Sequence, residues 1–422
     1  MIPWPTIPPP APGTALAADL VHVTLALPTA SDVWDQGRWD QDRWDAIDYD
    51  NFIDVSCDCS GVSIERGRSD PLAHAAPGRC SFELDNPTGV YSPWNTIDAA
   101  GADMGRPVLG PDTPVRVATS TGPLFTGFVR TVVEADDGGE STVALTCTDA
   151  LSFLGDANGL EQASQGGGEA AGARLARIMN QAALPALVDR DLDTGVTTLQ
   201  ATTLAKAALE EAWLTADSDG GTLWCTPGGV IRYVDPAGVQ APEFAEPIAT
   251  FTDDPTRTPG LCPISFTITA DRDAVKNVVS VARVGGTSQT VTDPVSVARH
   301  GARTTQRTDL IHQADAWSTT VAEFMLARLA NAEVTVSPID GVATDDEAWY
   351  ALAHEVDLGS RVEVVRHRWG QVLEVLAAVD AIKHNITLDQ WTVSLACAPG
   401  QQTQGYTRWD SGQWDVHPWD HR

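Results

Sequence analysis

The sequence predicts an α+β fold dominated by β structure, with two antiparallel β-blocks flanking a small α+β domain. Three observations carry this expectation. Near both ends of the 422-residue chain, short runs alternate apolar with polar residues and are punctuated by Gly and Pro. Helical spacing is concentrated around 175–213 and in one long stretch near 314–333. Finally, Thr142-Val143-Ala144-Leu145-Thr146-Cys147 returns as Thr392-Val393-Ser394-Leu395-Ala396-Cys397, each after a Val-x-Val pair (Val115 and Val117, Val362 and Val364). That echo is either a chance likeness of two strands or a duplicated β-domain around a middle domain.

The elements follow in order. Residues 1–19 form a Pro-rich arm, with six prolines in 1–13. Val21, Val23, Leu25 and Leu27 open the first β-domain, 20–154, which carries a Trp-Asp insertion at 32–50. Its further strands are expected at 53–65, 79–84, 115–119, 124–134 and 142–149, which suits an antiparallel barrel or sandwich. A Gly-rich linker is read at 155–168. The α+β domain, 169–236, begins with Leu175, Ile178, Met179 and Ala182 on one helix face, stopped by Pro185. A second helix is expected at 203–215, then a hairpin around Pro227-Gly228-Gly229. After a connector at 237–262 comes the second β-domain, 263–400. It has strands at 264–269 and 277–284, the long helix near 314–333, and strands at 361–365, 372–379, 386–388 and 390–397. That helix has apolar residues on more than one stripe, so it is expected to be well buried. Residues 401–422 are a C-terminal Trp-Asp tail.

Two cassettes share one spelling. Trp34, Trp39 and Trp44 in one, and Trp409, Trp414 and Trp419 in the other, are each followed by Asp at a spacing of five. That period fits neither a strand nor a helix face, so turns are expected. Six large rings are costly to leave in water, so these six tryptophans are the candidate interaction residues. They are expected to pack together or onto an adjacent subunit. Arg38, Arg43 and Arg408, each preceding a Trp, could stack on rings of a neighbouring repeat.

A net charge of −30 argues against gripping nucleic-acid phosphates or an anionic membrane, but suits a surface that DNA passes without sticking. No secretory signal is expected, and no run approaches the roughly twenty apolar residues of a membrane span. Of the seven cysteines, Cys57, Cys59, Cys80, Cys147 and Cys397 fall on apolar alternation and read as buried free thiols. Cys57-Asp58-Cys59 therefore reads as strand, not as a metal site. Residues 32–58 hold nine Asp but lack the spacing of a helix-loop-helix calcium loop, and a solvated acidic loop is expected. His354-Glu355 lacks the second His of a zinc motif, and no phosphate loop, nucleophile elbow or paired-Cys zinc pattern is present. No catalytic, cofactor or metal residue is assigned, and no enzyme activity is expected.

Several strings carry a family likeness. They are Ile64-Glu65-Arg66-Gly67-Arg68-Ser69-Asp70-Pro71, the run from Gly78 to Asn86, the run from Gly89 to Asn95, Leu124-Phe125-Thr126-Gly127-Phe128 and Cys147-Thr148-Asp149-Ala150-Leu151. Pro114-Val115-Arg116-Val117, the run from Asn277 to Val281, Gly301-Ala302-Arg303-Thr304 and Leu358-Gly359-Ser360-Arg361-Val362 join them. Over about 20–400 the chain resembles minor tail proteins, baseplate-hub-like, of long non-contractile-tailed phages. The resemblance implies two tail-tube-like antiparallel β-barrel domains per chain and a homotrimeric hub at the virion's tail tip. Its implied partners are the distal tail protein, tail tube, tape-measure and tip or fibre proteins. DNA would pass transiently during ejection, and no membrane anchor is implied. The chain departs from the pattern in having no lytic-domain or coiled-coil signature. Rival readings are a receptor- or carbohydrate-binding tail-tip protein and a cell-wall hydrolase.

Overall fold

The computed structural model describes residues 20–27, 52–68, 73–97, 103, 107–137, 140–240, 242–253, 260–330, 334–344, 346–368, 371–398 and 401–402. Both Trp-Asp cassettes, with all six candidate tryptophans, lie outside them, as does the Pro-rich arm.

The first β-unit contains β1 (His22–Ala26), β2 (Phe52–Asp54), β3 (Cys59–Gly67), β4 (Ala76–Asp85), β5 (Pro114–Ala118), β6 (Pro123–Asp137) and β7 (Glu140–Thr148). In the middle lie α1 (Leu151–Asp156), β8 (Glu161–Gln165), α2 (Ala171–Gln181), β9 (Arg190–Leu192), β10 (Thr202–Leu204), α3 (Ala208–Asp219), β11 (Thr222–Cys225) and β12 (Ile231–Val234). Then come α4 (Pro242–Ala245), β13 (Pro247–Thr252), β14 (Ser265–Ala270), β15 (Val278–Arg283), β16 (Gln289–Thr292), α5 (Pro294–His300), β17 (Thr304–Leu310) and α6 (Asp315–Leu329). The chain continues through β18 (Val334–Val342), α7 (Glu347–Glu355), β19 (Arg361–Arg368), β20 (Gln371–Thr387), β21 (Trp391–Cys397) and β22 (Gln401–Gln402).

The two β-units form one 14-stranded sheet, whose main path runs β14-β18-β21-β20-β3-β4-β7-β6-β5-β1-β2. The seam is β3 against β20, antiparallel, from Gly61↔Thr387 to Gly67↔Ala381. One apolar core continues through both units, from Val23 and Ile64 to Ile382, Trp391 and Leu395. Among the described residues the sheet path does not close on itself, and its ends are β14 and β2.

The sequence echo is a repeat of topology and register. β5, β6 and β7 form an antiparallel meander, and so do β19, β20 and β21. Val115↔Gly127 and Val117↔Phe125 in one match Val362↔Ala377 and Val364↔Val375 in the other. Val129↔Cys147 and Val132↔Leu145 match Val379↔Cys397 and Ile382↔Leu395, with the register break directly after Val129 and after Val379. Further out, β4 and β3 correspond to β18 and β14, paired in the same order and sense. The likeness stops at the flanking strand: β1 joins β5 antiparallel, whereas β13 joins β19 parallel.

Several elements differ from the sequence reading. Residues 53–65 are not one strand. Asp54 accepts from the Ser56 backbone N–H at 2.9 Å and from its hydroxyl, which diverts the chain into a 3₁₀ turn, Ser56–Asp58. Cys57 sits in that turn and is exposed, so it is not a buried thiol, whereas Cys59, Cys80, Cys147 and Cys397 are buried and free. The stretch read as a linker contains β8, which pairs with β10. Helix α3 consequently starts at Ala208, because Thr202–Leu204 is used as a strand, the preference of β-branched residues. The runs at 372–379 and 386–388 are one continuous strand, β20, kept in phase by buried Ile382, His384 and Ile386. Between β14 and β18 lies an inserted β16-β15-β17 sheet packed on α6. Only one face of α6, through Ser318, Val321, Ala322 and Leu329, is buried, while Phe324 and Arg328 line a cavity. Helix α7 was not expected; Asp346 caps it by accepting from Ala348 and Trp349 backbone N–H groups.

Candidate functional site

Two of the family-like strings, the one holding Arg66 and Arg68 and the one from Leu358 to Val362, lie at one place, where β3, β11 and the turn before β19 meet. Arg66, almost wholly buried, donates to the Asp357 carboxylate at 3.0 Å and to the Cys225 carbonyl at 3.1 Å. Trp224 Nε1 donates to the other oxygen of Asp357 at 3.0 Å. Arg68 binds Asp380, the residue at the register break of β20, with its Nε at 2.7 Å. These contacts join the first β-unit, the middle unit and the second β-unit.

Two glycines permit the close approach. Gly67 has φ +116°, and a Cβ there would lie 2.2 Å from the Asp380 carbonyl oxygen. A Cβ on Gly78 would lie 2.8 Å from the Asp149 carboxylate, which accepts the Gly78 backbone N–H at 2.6 Å and that of Leu151 at 3.0 Å. Burial pushes the Asp149 carboxyl up to about 7, against the pull of those two donors and of the Arg66 charge. Arg66, Gly67, Gly78 and Asp149 are thus joints of the fold, and the seemingly motif-like spacing has a structural cause.

Beside this junction is a cavity of about 240 Å³. Trp224, Phe244, Phe324 and Leu358 supply apolar walls, and Arg68, Arg328 and Arg361 supply charge. Burial and the neighbouring Arg68 charge push the Arg328 guanidinium down to about 10.

A second network orders the loop after β4. Asn86 Oδ1 accepts the Tyr91 backbone N–H at 3.0 Å, and the Tyr91 hydroxyl donates to Asp58 at 2.6 Å. Glu134 accepts from the Ser92 hydroxyl at 2.6 Å and from Trp94 Nε1 at 2.9 Å. Its carboxyl is held below the usual range, first by Ser92 and then by Trp94. The Trp94 side chain is anchored at its nitrogen yet 72% exposed. Sequence reasoning placed Trp94 in a family-like string but not among the candidate interaction residues; the signal was its position in a loop rich in turn formers.

Among the described residues, no group of three or more His, Cys, Asp or Glu is placed to hold a metal ion, and no helix is long and apolar enough to cross a membrane. Burial raises the thiols of Cys59, Cys80, Cys147, Cys225 and Cys397, which keeps them protonated. His354 is half-buried and bonded to Thr119 Oγ1 at 2.6 Å.

The fold is shared with two solved tail proteins. The chain is similar to the tail protein from Neisseria meningitidis MC58, with TM-score 0.57 and 14% identity, covering 90% of this chain and 96% of that one. It is also similar to the prophage MuSo2 43 kDa tail protein from Shewanella oneidensis, with TM-score 0.55 and 11% identity, covering 89% and 98%. At these identities the likeness is one of fold. No protein-family model and no curated protein matches the sequence.

Proposed function

We propose that this chain is a structural virion protein, a homotrimeric hub at a phage tail tip that joins the tail tube to the tip or fibre and lines part of the DNA passage. The observation that carries the reading is the register-level repeat of β5-β6-β7 in β19-β20-β21. Two like β-units per chain give a threefold assembly six, and so suit a match with a sixfold tube. The fold shared with tail proteins and the net charge of −30 support it, since DNA is repelled by an acidic lumen. The ends of the sheet at β14 and β2 are natural subunit contacts, because an edge strand is a template for pairing. Distal tail, tape-measure and tip proteins are its partners in this reading, and its role needs no catalytic group. Reconstruction of the assembled particle tests it: the chain should surround the tail axis in three copies, and an off-axis position would refute it.

A receptor-binding role is the second reading, favoured by Trp94, an exposed ring held in a fixed pose. Trp94→Ala should then abolish host adsorption while particles still assemble. Normal adsorption by the variant excludes that role for this residue.

A further inference from the structure

The Trp94 ring faces solvent, yet its pose is set. Nε1 donates to one oxygen of Glu134 at 2.9 Å, and the fully buried Ser92 hydroxyl donates to the other at 2.6 Å. Asn95, next in the chain, donates to the Val90 and Ile97 carbonyls at 3.0 and 2.9 Å and accepts the Ile97 N–H at 3.0 Å. Scattered exposed apolar side chains are ordinary, but a fixed aromatic one is what interfaces use as an anchor. A ring held in this way loses little entropy when a partner covers it.

What the ring can take follows from its surroundings. The polar side chains that hold it are spent on the loop itself, since Glu134 also receives Asn86 and Ser141 at 3.3 Å. A sugar would stack on the indole but find these groups already bonded, and its hydroxyls need free donors and acceptors. Charge favours a cation instead. Donation of the Nε1–H to a carboxylate polarises the indole and leaves its face more negative. Asp85 and Asp136 lie at the same end of the sheet as Glu134, through Asp85↔Thr142, Ala135↔Thr142 and Asp136↔Ser141. Asp58 is close too, accepting the Tyr91 hydroxyl at 2.6 Å. The strand ends 81–85, 132–137 and 140–144 contain no Lys or Arg. Among the described residues guanidinium groups lie on Trp224, Phe244 and Phe266, and none lies on Trp94.

We propose that Trp94 is a docking point for a basic segment of a partner protein, with an Arg or Lys cation laid on the indole face and Glu134, Asp85 and Asp136 setting the negative field around it. The net charge of −30 draws such a segment in from a distance. This names the class of ligand for the ring already considered as a receptor contact, but it does not rest on that partner being a host receptor. Normal adsorption by Trp94→Ala would remove the receptor role and leave this contact intact.

The test uses the full chain labelled with fluorotryptophan, with the Trp94 fluorine resonance assigned by its loss in Trp94→Phe. An acetylated, amidated peptide alternating Gly and Arg is titrated beside the same peptide with citrulline, the neutral isostere of arginine. The Arg peptide should move the Trp94 resonance saturably, and less so at high salt. The citrulline peptide should bind roughly threefold or more weakly, as expected for loss of a cation over an exposed indole. Glu134→Gln, which keeps an acceptor for Nε1, should weaken binding of the Arg peptide and leave that of the citrulline peptide unchanged. A resonance unmoved by the Arg peptide, equal binding of the two peptides, or a stronger response to maltotriose than to either would overturn the proposal, the last in favour of a sugar site. The comparison of the two peptides needs no variant beyond the assignment, so misfolding of Glu134→Gln does not protect the idea. The signal is read at one residue, so general attraction of a cationic peptide to an acidic chain is not counted as binding at Trp94.

Discussion

Arg66 on β3 and Asp357 in the turn before β19 form an ion pair at 3.0 Å that ties the two β-units together. Trp224 from the middle unit shares the same carboxylate. Removing one partner leaves a buried charge without compensation, so Asp357→Ala is expected to lower stability by about 3 kcal/mol. The urea midpoint should fall accordingly, and Asp357→Asn, which keeps a hydrogen-bond acceptor, should lose less. An unchanged midpoint in Asp357→Ala would show that the pair does not bind the units.

His384 gives the fold an acid-sensitive point. Burial lowers its pKa to about 3 from an ordinary 6.5, and its Nδ1 accepts from Trp391 Nε1 at 3.2 Å. A histidine depressed in the folded state contributes stability that is complete above 6.5 and is lost as pH falls from 6.5 toward 3. In that window the loss is up to about 1.4 kcal/mol per pH unit. His384→Gln keeps an acceptor for Trp391 and cannot charge. Its stability-against-pH curve, measured beside the parent's, should lack this part of the acid slope; parallel curves would refute the assignment.

Gly67 sits at the end of the seam, where β3 meets β20. Its φ of +116° disfavours any side chain, and a Cβ would also lie 2.6 Å from the Ala381 Cα. Gly67→Ala should cost about 3 kcal/mol, at the upper end of ordinary substitutions. Hydrogen exchange should accelerate selectively in β3 and β20, and uniform protection would argue against strain there.

Ile268 lies on β14, at one end of the sheet, and is 40% exposed. Ile268→Lys should leave the fold within about 0.5 kcal/mol of the parent, as exposed substitutions do. On the proposed hub reading, a lysine on this edge should stop incorporation into particles. Native mass spectrometry and particle composition would read the outcome. Full incorporation would remove β14 from the subunit contacts.

Individual strands and helices were legible because their signals are local. Alternation at Val21, Val23, Leu25 and Leu27 marked β1, and the spacing of Leu175, Ile178 and Met179 marked α2. The echo of Thr142–Cys147 in Thr392–Cys397 was likewise visible, since both strings bury Val, Leu and Cys on one face. Where local chemistry competed with pattern, the reading failed. Ser56 bonds to Asp54 and turns a promising alternation into an exposed Cys57, and Thr202 pairs with Gln165 in place of starting a helix.

The sequence by itself determined that this is an acidic chain with β-alternating stretches on either side of a helical middle, and it left open whether the two β-blocks are related. Only the tertiary structure decided that β3 and β20, far apart in the chain, share a seam, and that Arg66, Trp224 and Asp357 meet. Strand pairing and buried charge pairs depend on which distant backbones come within hydrogen-bond reach, and a periodicity confined to one segment carries no record of its partner.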